Sequence, residues 1–223
     1  MNNTHNFAII FDMDGVLIDS VAAAYRARSR LLAARGVDMA QIPDPHNEDH
    51  KGSSQKHLLS AVHKHTGIAI DENAFAQEAR ANMARDFQST QVDSNLVAVL
   101  DELKQHDIPC AIASSGHLEG VRIKLDILGI EGFFRQIVTA DDVTHHKPDP
   151  EIYLLTAKRL GVDNKNCVVI EDSGAGVAAG NSAGCTVVGF TQFNSIKQPL
   201  EGTALTVDGW DDLSYSRLRA LLA

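Results

Sequence analysis

Five short runs of apolar residues recur along the chain, and single helix-length segments separate the last four. The runs occupy residues 7–11, 110–114, 136–140, 167–171 and 185–190. They are apolar along nearly their whole length, which is typical of parallel strands covered by helices on both faces. The sequence therefore predicts an α/β fold built on a doubly wound parallel sheet.

Two of the intervening segments carry clear helix signals. Residues 94–106 place three leucines on one face, and Ser94 is the predicted N-cap. Residues 150–160 follow Asp149, begin with a proline at the first helical position and end at Gly161. Both segments have the length expected of a helix that packs on the sheet.

A long interruption separates the first apolar run from the second. Residues 20–88 contain helical patterns and a polar, turn-rich stretch at 44–54, but no strand-like run. An insert of this length early in an α/β chain predicts a separate small all-helical domain. We expect a core domain formed by residues 1–18 and 89–223, and a helical domain formed by residues 19–88.

The composition narrows the possible partners and the compartment. The 223 residues suffice for one α/β domain with an insert. The formal net charge of −9 argues against nucleic acid and anionic membranes as partners, because both are polyanions. No secretory signal pattern is present, and no stretch approaches the ~20 apolar residues of a membrane-spanning helix. Cys110, Cys167 and Cys185 are predicted to be buried free thiols in a cytoplasmic protein.

Polar side chains follow the predicted strands at the points where these strands end. In chain order they are Asp12 and Asp14, Ser114 and Ser115, Lys147, and Glu171 and Asp172. Ligands of open α/β sheets bind outside the carboxyl ends of the strands. We therefore expect these side chains to meet at one edge of the sheet.

The carboxylates in this set predict a magnesium site. Carboxylates at close quarters repel one another unless a cation neutralises them, and hard oxygen ligands suit Mg²⁺. Asp12, Glu171 and Asp172 could hold such an ion. A carboxylate beside Mg²⁺ can attack phosphorus, which is the role predicted for Asp12. Asp14 lies two residues later on the same face of an extended backbone, where it could protonate the leaving oxygen.

The hydroxyls and the lysine suit phosphate binding. Ser114 or Ser115 can donate a hydrogen bond to a phosphoryl oxygen, and Ser114 is the preferred choice. Lys147 can offset the negative charge that grows during phosphoryl transfer. Pro148 disfavours helical geometry at Lys147, which predicts an extended segment there.

The same residues lie in four motifs that resemble those of the haloacid dehalogenase superfamily, in its branch of β-phosphoglucomutase-like enzymes and sugar-phosphate phosphatases. The motifs are DMDGV at 12–16, the apolar run that ends at Ser114, KPDP at 147–150 and VVIEDSGAGVAAGNSAG at 168–184. The resemblance covers essentially the whole chain. It implies a Rossmann-like core and a helical cap, the insert, that closes over the substrate.

The resemblance also implies a role for each motif residue. Asp12 would be the nucleophile and Asp14 the general acid/base, and the backbone carbonyl of Asp14 would ligate Mg²⁺. The remaining assignments are Ser114 and Lys147 for phosphate, and Glu171 and Asp172 for magnesium.

A dinucleotide-binding fingerprint is the main competing interpretation. Gly174, Gly176 and Ala179 match it, directly after a strand and at the start of a helix. Glu171 and Asp172 would, however, place two negative charges against an incoming pyrophosphate. We expect the glycines to allow tight packing of this helix on the sheet. A non-catalytic or cofactor-binding protein of this fold is the less favoured alternative.

Hydrolysis and phosphosugar isomerisation both remain open. Residues 50–59 resemble the cap loop of β-phosphoglucomutase, but Gln55 aligns with an arginine that grips the second phosphate in the mutase. Ala24 aligns with a histidine of the mutase. Both departures favour a phosphatase. Lys51 and Gln55 are the predicted substrate contacts in the cap, the substrate is a small phosphorylated metabolite, and the protein is expected to be a monomer or a weak homo-oligomer.

Overall fold

The computed structural model describes residues 7–43, 55–87, 90–193 and 200–222. The chain divides into two compact units, one formed by Met1–Ile18 with Gln91–Ala223 and the other by Asp19–Thr90. The junctions thus fall after Ile18 and after Thr90. That these units act as a core domain and a cap domain stays a prediction.

A six-stranded parallel sheet forms the centre of the first unit. Its strands are β1 (Ala8–Phe11), β2 (Cys110–Ala113), β3 (Gln136–Val138), β4 (Cys167–Glu171), β5 (Thr186–Phe190) and β6 (Leu205–Val207). Their order is β3-β2-β1-β4-β5-β6, and each of the five neighbouring pairs is parallel. The predicted doubly wound α/β fold is confirmed. The strand order reverses between β1 and β4, which is where ligands bind in folds of this kind.

Eight α-helices lie within the described residues. They are α1 (Ser20–Ala33), α2 (Gln55–Thr66), α3 (Glu72–Phe87), α4 (Ser94–Gln105), α5 (Leu118–Leu128), α6 (Glu151–Leu160), α7 (Gly174–Ser182) and α8 (Tyr215–Ala220). The predicted helices 94–106 and 150–160 correspond to α4 and α6. The polar stretch 44–54 lies outside the described residues.

The central strand β1 is buried on both faces of the sheet. Ile10 belongs to a buried cluster with Tyr153 of α6 and Val177 of α7. Phe11 points to the other face, where its ring centroid lies 6.0 Å from that of Trp210. This two-sided burial explains why the strands are continuous apolar runs rather than alternating ones.

A side-chain cap sets the start of α4, and a left-handed glycine sets the end of α6. The predicted N-cap Ser94 is wrong, because the Asp93 carboxylate accepts the Asn95 N–H at 2.8 Å and α4 begins after it. Pro150 is the N-cap of α6 and not its first residue as predicted, and the helix begins at Glu151, whose N–H donates to the Asp149 carboxylate at 2.9 Å. This helix ends at Gly161, whose φ of 71° is left-handed and therefore favours glycine, as predicted.

The second unit has a hydrophobic core of its own. Its described residues form α1, α2, α3 and a short 3-10 helix at Met39–Gln41, with no strand among them. Leu32, Leu58, Val62 and Phe75 are fully buried in one cluster.

The three thiols agree with the prediction that they are buried and free. Cys110, Cys167 and Cys185 are all buried and free. None of the helices in the described ranges combines the length and the apolar character needed to cross a membrane. The cytoplasmic location and the oligomeric state stay predictions.

Candidate active site

Lys147 connects the ends of three strands in the first unit. Its Nζ donates to Asp12 Oδ1 at 2.5 Å, after β1, and to Glu171 Oε1 at 2.6 Å, at the end of β4. It also donates to the carbonyl of Ala113, the last residue of β2, at 3.1 Å. The lysine side chain is only 5% exposed. One buried ammonium group thus holds two acids from separate segments together.

The backbone that carries Lys147 forms a tight turn before α6. The Asp149 N–H donates to the His146 carbonyl at 2.9 Å, and the Lys147–Pro148 peptide is cis. The hydrogen bond from Asp149 to His146 makes residues 146–149 a turn, whereas an extended segment was expected here. A reversal of the chain between His146 and Asp149 directs the lysine into the protein while α6 starts immediately afterwards.

Glu171 uses both carboxylate oxygens in hydrogen bonds. Oε1 accepts from Lys147 and, at 2.9 Å, from the hydroxyl of Tyr153. Oε2 accepts from the backbone N–H and the hydroxyl of Ser173, each at 3.0 Å. Tyr153, fully buried on α6, was not predicted as part of the site. The one sequence signal for its role was a tyrosine on the predicted buried face of a helix, because a buried hydroxyl needs a hydrogen-bond partner.

Two glycines of α7 make room for different neighbours. A Cβ at Gly176 would lie 1.7 Å from Glu171 Oε1, so this glycine accommodates the carboxylate. A Cβ at Gly180 would lie 2.7 Å from Val187 Cγ2, so this glycine packs tightly on β5. Gly180 does not belong to the fingerprint. Of the two fingerprint glycines, Gly176 meets the Glu171 side chain and a Cβ at Gly174 would meet no atom within 4 Å, so the tight packing expected of Gly174 is wrong. Glu171 occupies the space over the start of α7 where a dinucleotide would need its pyrophosphate.

Asp172 lies against the turn that follows β1. Gly15 has a φ of 89°, and a Cβ there would lie 1.9 Å from Asp172 Oδ2. Gly15 is thus required both by its left-handed backbone and by the approach of a carboxylate. The contact brings Asp172 beside the segment that carries Asp12 and Asp14.

The site contains more negative charge than its lysine can balance. Burial raises the pKa of Asp12 to about 7, with Glu171 and Asp14 adding to the rise and Lys147 opposing it. Burial likewise raises the pKa of Asp172 to about 8, aided by the charges of Asp12 and Glu171. Burial also acts against ionisation of Glu171, but its bonds to Lys147 outweigh this and hold the pKa below its usual range. Two of the three acids therefore lack sufficient positive charge nearby.

This imbalance and the oxygen donors fit a hard divalent cation such as Mg²⁺. Asp12 and Asp172 are the carboxylates with unbalanced charge. Within the described ranges, a different group has three donor atoms within 4.8 Å of one another: His145, Asp149 and Glu151. There the Glu151 carboxylate already accepts the N–H groups of Thr144 and His145, so it closes the loop before α6.

The two serines and Asp14 differ in their surroundings. Ser114 is buried, and its Oγ accepts the Gly116 N–H at 3.1 Å. Ser115 is exposed. Asp14, whose side chain is 36% exposed, forms an ion pair with Lys124 of α5. Lys124 was not predicted, because nothing in the sequence distinguishes it from a solvated helix lysine.

The two predicted cap residues belong to the second unit. Gln55 is the first residue of α2 in the second unit, and its Nε2 donates to the Glu72 carbonyl at 2.9 Å. Lys51 lies outside the described residues. Their contact with substrate stays a prediction.

Comparison with known proteins places this arrangement in a family. Residues 9–190 match the family model for haloacid dehalogenase-like hydrolases. The chain is 30% identical over 190 residues to hexitol phosphatase A of Escherichia coli K12, covering 80% of each chain. It is 33% identical over 219 residues to β-phosphoglucomutase of Bacillus subtilis, covering 95% of this chain and 93% of that one. A crystal structure of β-phosphoglucomutase from Clostridium difficile superposes with a TM-score of 0.74 at 28% identity, covering 96% of both chains.

Proposed function

Because this chain belongs to the haloacid dehalogenase-like hydrolases, as an enzyme of their sugar-phosphatase and phosphoglucomutase-like branch, we propose that it hydrolyses phosphate monoesters of sugars or sugar alcohols with the help of Mg²⁺. The observation that carries the proposal is the buried contact of Lys147 with Asp12 and Glu171. It fixes a carboxylate beside a cation at the strand ends where a phosphoryl group would bind.

The proposed reaction has two steps. An oxygen of Asp12 attacks phosphorus, the bond to the ester oxygen breaks, and Asp14 gives its proton to the leaving alcohol. Water then attacks the phosphorus of the aspartyl phosphate and loses a proton to Asp14. This releases inorganic phosphate and restores the Asp12 carboxylate.

The other residues of the site would bind and orient the phosphoryl group. Lys147 would balance charge on the phosphoryl oxygens, and the buried Ser114 hydroxyl, which accepts from Gly116, keeps its own hydrogen for donation to them. Asp12 and Asp172, with the Asp14 carbonyl, would hold Mg²⁺. Both oxygens of Glu171 are already bonded, so we assign it to charge balance beside the ion. When bound, Mg²⁺ supplies positive charge for the phosphoryl oxygens and the carboxylates.

Two variants and a panel of esters test this proposal. Phosphate release from hexitol phosphates, aldose phosphates and p-nitrophenyl phosphate is measured with Mg²⁺ and with a chelator. Asp12→Asn should lower kcat by about 10³-fold or more, since the nucleophile is lost. Asp126→Asn, which alters an exposed acid of α5, is the matched control and should stay near wild type. Equal activity of Asp12→Asn and wild type would refute the proposal.

A mutase is the second candidate, because the likeness to β-phosphoglucomutase spans almost the whole chain. Against it stand Gln55 and Ala24 at the positions where an arginine and a histidine are expected. Incubation with β-glucose 1-phosphate separates the two functions. A mutase would form glucose 6-phosphate without net phosphate release, whereas a phosphatase would release phosphate from the same ester.

A further inference from the structure

A lysine of α5 reaches the proposed acid/base. Lys124 Nζ forms an ion pair with Asp14 Oδ1, although the two residues are 110 positions apart. Val121, Leu125 and Leu128 form the buried stripe of α5, and Lys124 lies at the edge of that stripe. Its side chain is 15% exposed. It is thus largely withdrawn from water, unlike a typical helix lysine.

The pair differs from an ordinary surface salt bridge. Exposed ion pairs contribute little, because both side chains lose freedom and water screens the charges. Here the lysine side chain is largely buried and extends to the Asp14 carboxylate. The charge of Asp14 acts on Asp12, so the two acids lie within reach of each other's field. A negatively charged neighbourhood of this kind would push a free Asp14 side chain toward solvent.

The opposite side of Asp14 is bounded by the turn after β2. A Cβ at Gly116 would lie 3.9 Å from Asp14 Oδ2 and 3.3 Å from Ser114 Oγ. One carboxylate oxygen is therefore held by Lys124, and the other faces the turn that carries the candidate phosphate-binding serine.

We propose that Lys124 is a positioning residue for the reaction, which fixes the Asp14 carboxylate in the orientation from which it transfers a proton to the leaving oxygen. This inference rests on the proposed function, because it assumes that Asp14 is the acid/base. Lys124 itself makes no contact with substrate in this scheme. The contribution of Lys124 to the rate therefore depends on how much each substrate needs proton transfer from Asp14.

Leaving groups of different basicity reveal such a role. A sugar or glycerol phosphate expels a strongly basic alkoxide and depends on proton transfer, whereas p-nitrophenyl phosphate expels a weakly basic phenolate and depends on it little. The second step passes through the same aspartyl phosphate for every ester, so the comparison uses kcat/KM, which reports the steps up to release of the alcohol. Loss of acid positioning must therefore affect kcat/KM of the two classes unequally. Loss of folding or of phosphate binding would affect both alike.

The experiment combines Lys124→Met, Lys124→Arg and the control Arg122→Met, each in the wild-type and the Asp14→Asn background. Arg122 is an exposed cation two residues earlier on the same helix. Lys124→Met should lower kcat/KM on hexitol phosphate by about 10-fold to 30-fold and on p-nitrophenyl phosphate by less than about 3-fold. Lys124→Arg keeps the charge and should recover most of the loss. Arg122→Met should behave as wild type.

The double variants provide the decisive comparison. If Lys124 acts through Asp14, Lys124→Met adds no further loss once Asp14 is asparagine. An equal loss on both substrate classes, a full additional loss in the Asp14→Asn background, or no loss at all would overturn the inference. If Lys124→Met fails to fold, Lys124→Gln replaces it, and the same three outcomes would overturn the inference. Wild-type protein that releases no phosphate from any ester would instead contradict the proposed function itself.

Discussion

Among single residues, Tyr153 contacts the candidate site from within the core. Its hydroxyl donates to Glu171 Oε1, and Lys147 Nζ lies 4.9 Å from the centre of its ring. The tyrosine therefore supports both members of the buried ion pair. A buried carboxylate that loses one of its donors is held less firmly and is harder to keep charged.

Tyr153→Phe tests this support, because it removes the hydroxyl and keeps the ring. We expect kcat to fall by about 3-fold to 10-fold and the free energy of unfolding to fall by about 1 kcal/mol. Activity as a function of Mg²⁺ concentration and thermal unfolding measure the two effects. Tyr215→Phe is the control, since the Tyr215 hydroxyl accepts from Arg219 on α8 and, among the described contacts, does not touch the candidate site. Equal behaviour of the two variants would show that the Tyr153 hydroxyl has no role in the site.

The two serines after β2 give a second test at this scale. Ser114 is buried with its Oγ beside the Gly116 turn, whereas Ser115 is exposed. Ser114→Ala should lower kcat by about 10-fold to 100-fold, because one donor to the phosphoryl oxygen is lost. Ser115→Ala should change kcat by less than about 2-fold. The reverse order would assign phosphate binding to Ser115.

Single residues were predictable where a strand end marked them. Asp12, Ser114 and Glu171 each follow an apolar run, and topology brings such positions together. Tyr153 and Lys124 come from the middle of helices. Their side chains reach the site because of helix placement and rotamer, which one sequence does not specify.

At the scale of elements, α7 has two glycines one helical turn apart that serve different purposes. Gly176 faces the Glu171 carboxylate, and Gly180 faces Val187 on β5. An alanine at either position meets atoms that must move. The consequences differ because one neighbour belongs to the candidate site and the other to the core.

Gly176→Ala should displace Glu171 from Lys147 and lower kcat by about 10-fold or more. Gly180→Ala should leave kcat near wild type but destabilise the fold by about 1–3 kcal/mol through overpacking. Phosphate release and denaturant unfolding of both variants measure the two outcomes. If Gly180→Ala lost activity without losing stability, the assignment of these faces would be wrong.

The strands with the longest buried apolar runs were the easiest to predict. β1, β2 and β4 are buried along their whole length and form clear runs. β3 and β6 are shorter, with three residues each, of which two are only partly buried. β3 was predicted and β6 was missed. Asp93 and Ser94 are both good N-caps, so the choice between them depends on backbone geometry that composition does not reveal.

At the scale of the whole molecule, the charge of the site couples folding to pH. Asp12 and Asp172 have pKa values of about 7 and about 8 in the folded protein, above their ordinary value of 3.8. The folded state therefore binds protons more tightly than the unfolded chain. The stability that this contributes is fully present below about pH 4 and is lost as the pH rises through about 7 to 8.

Mg²⁺ should reverse this loss, because it replaces the protons as the neutralising charge. For metal-free wild type we expect a Tm at about pH 8.5 that is lower than the Tm at about pH 5.5. This fall should exceed the fall in Asp172→Asn between the same two pH values by several degrees. Saturating Mg²⁺ should raise Tm more at the higher pH than at the lower one. Differential scanning calorimetry of wild type, Asp172→Asn and the surface control Asp126→Asn measures all of these values. A Mg²⁺ effect that is equal at both pH values, or that persists in Asp172→Asn, would mean that the ion binds elsewhere than beside Asp12 and Asp172.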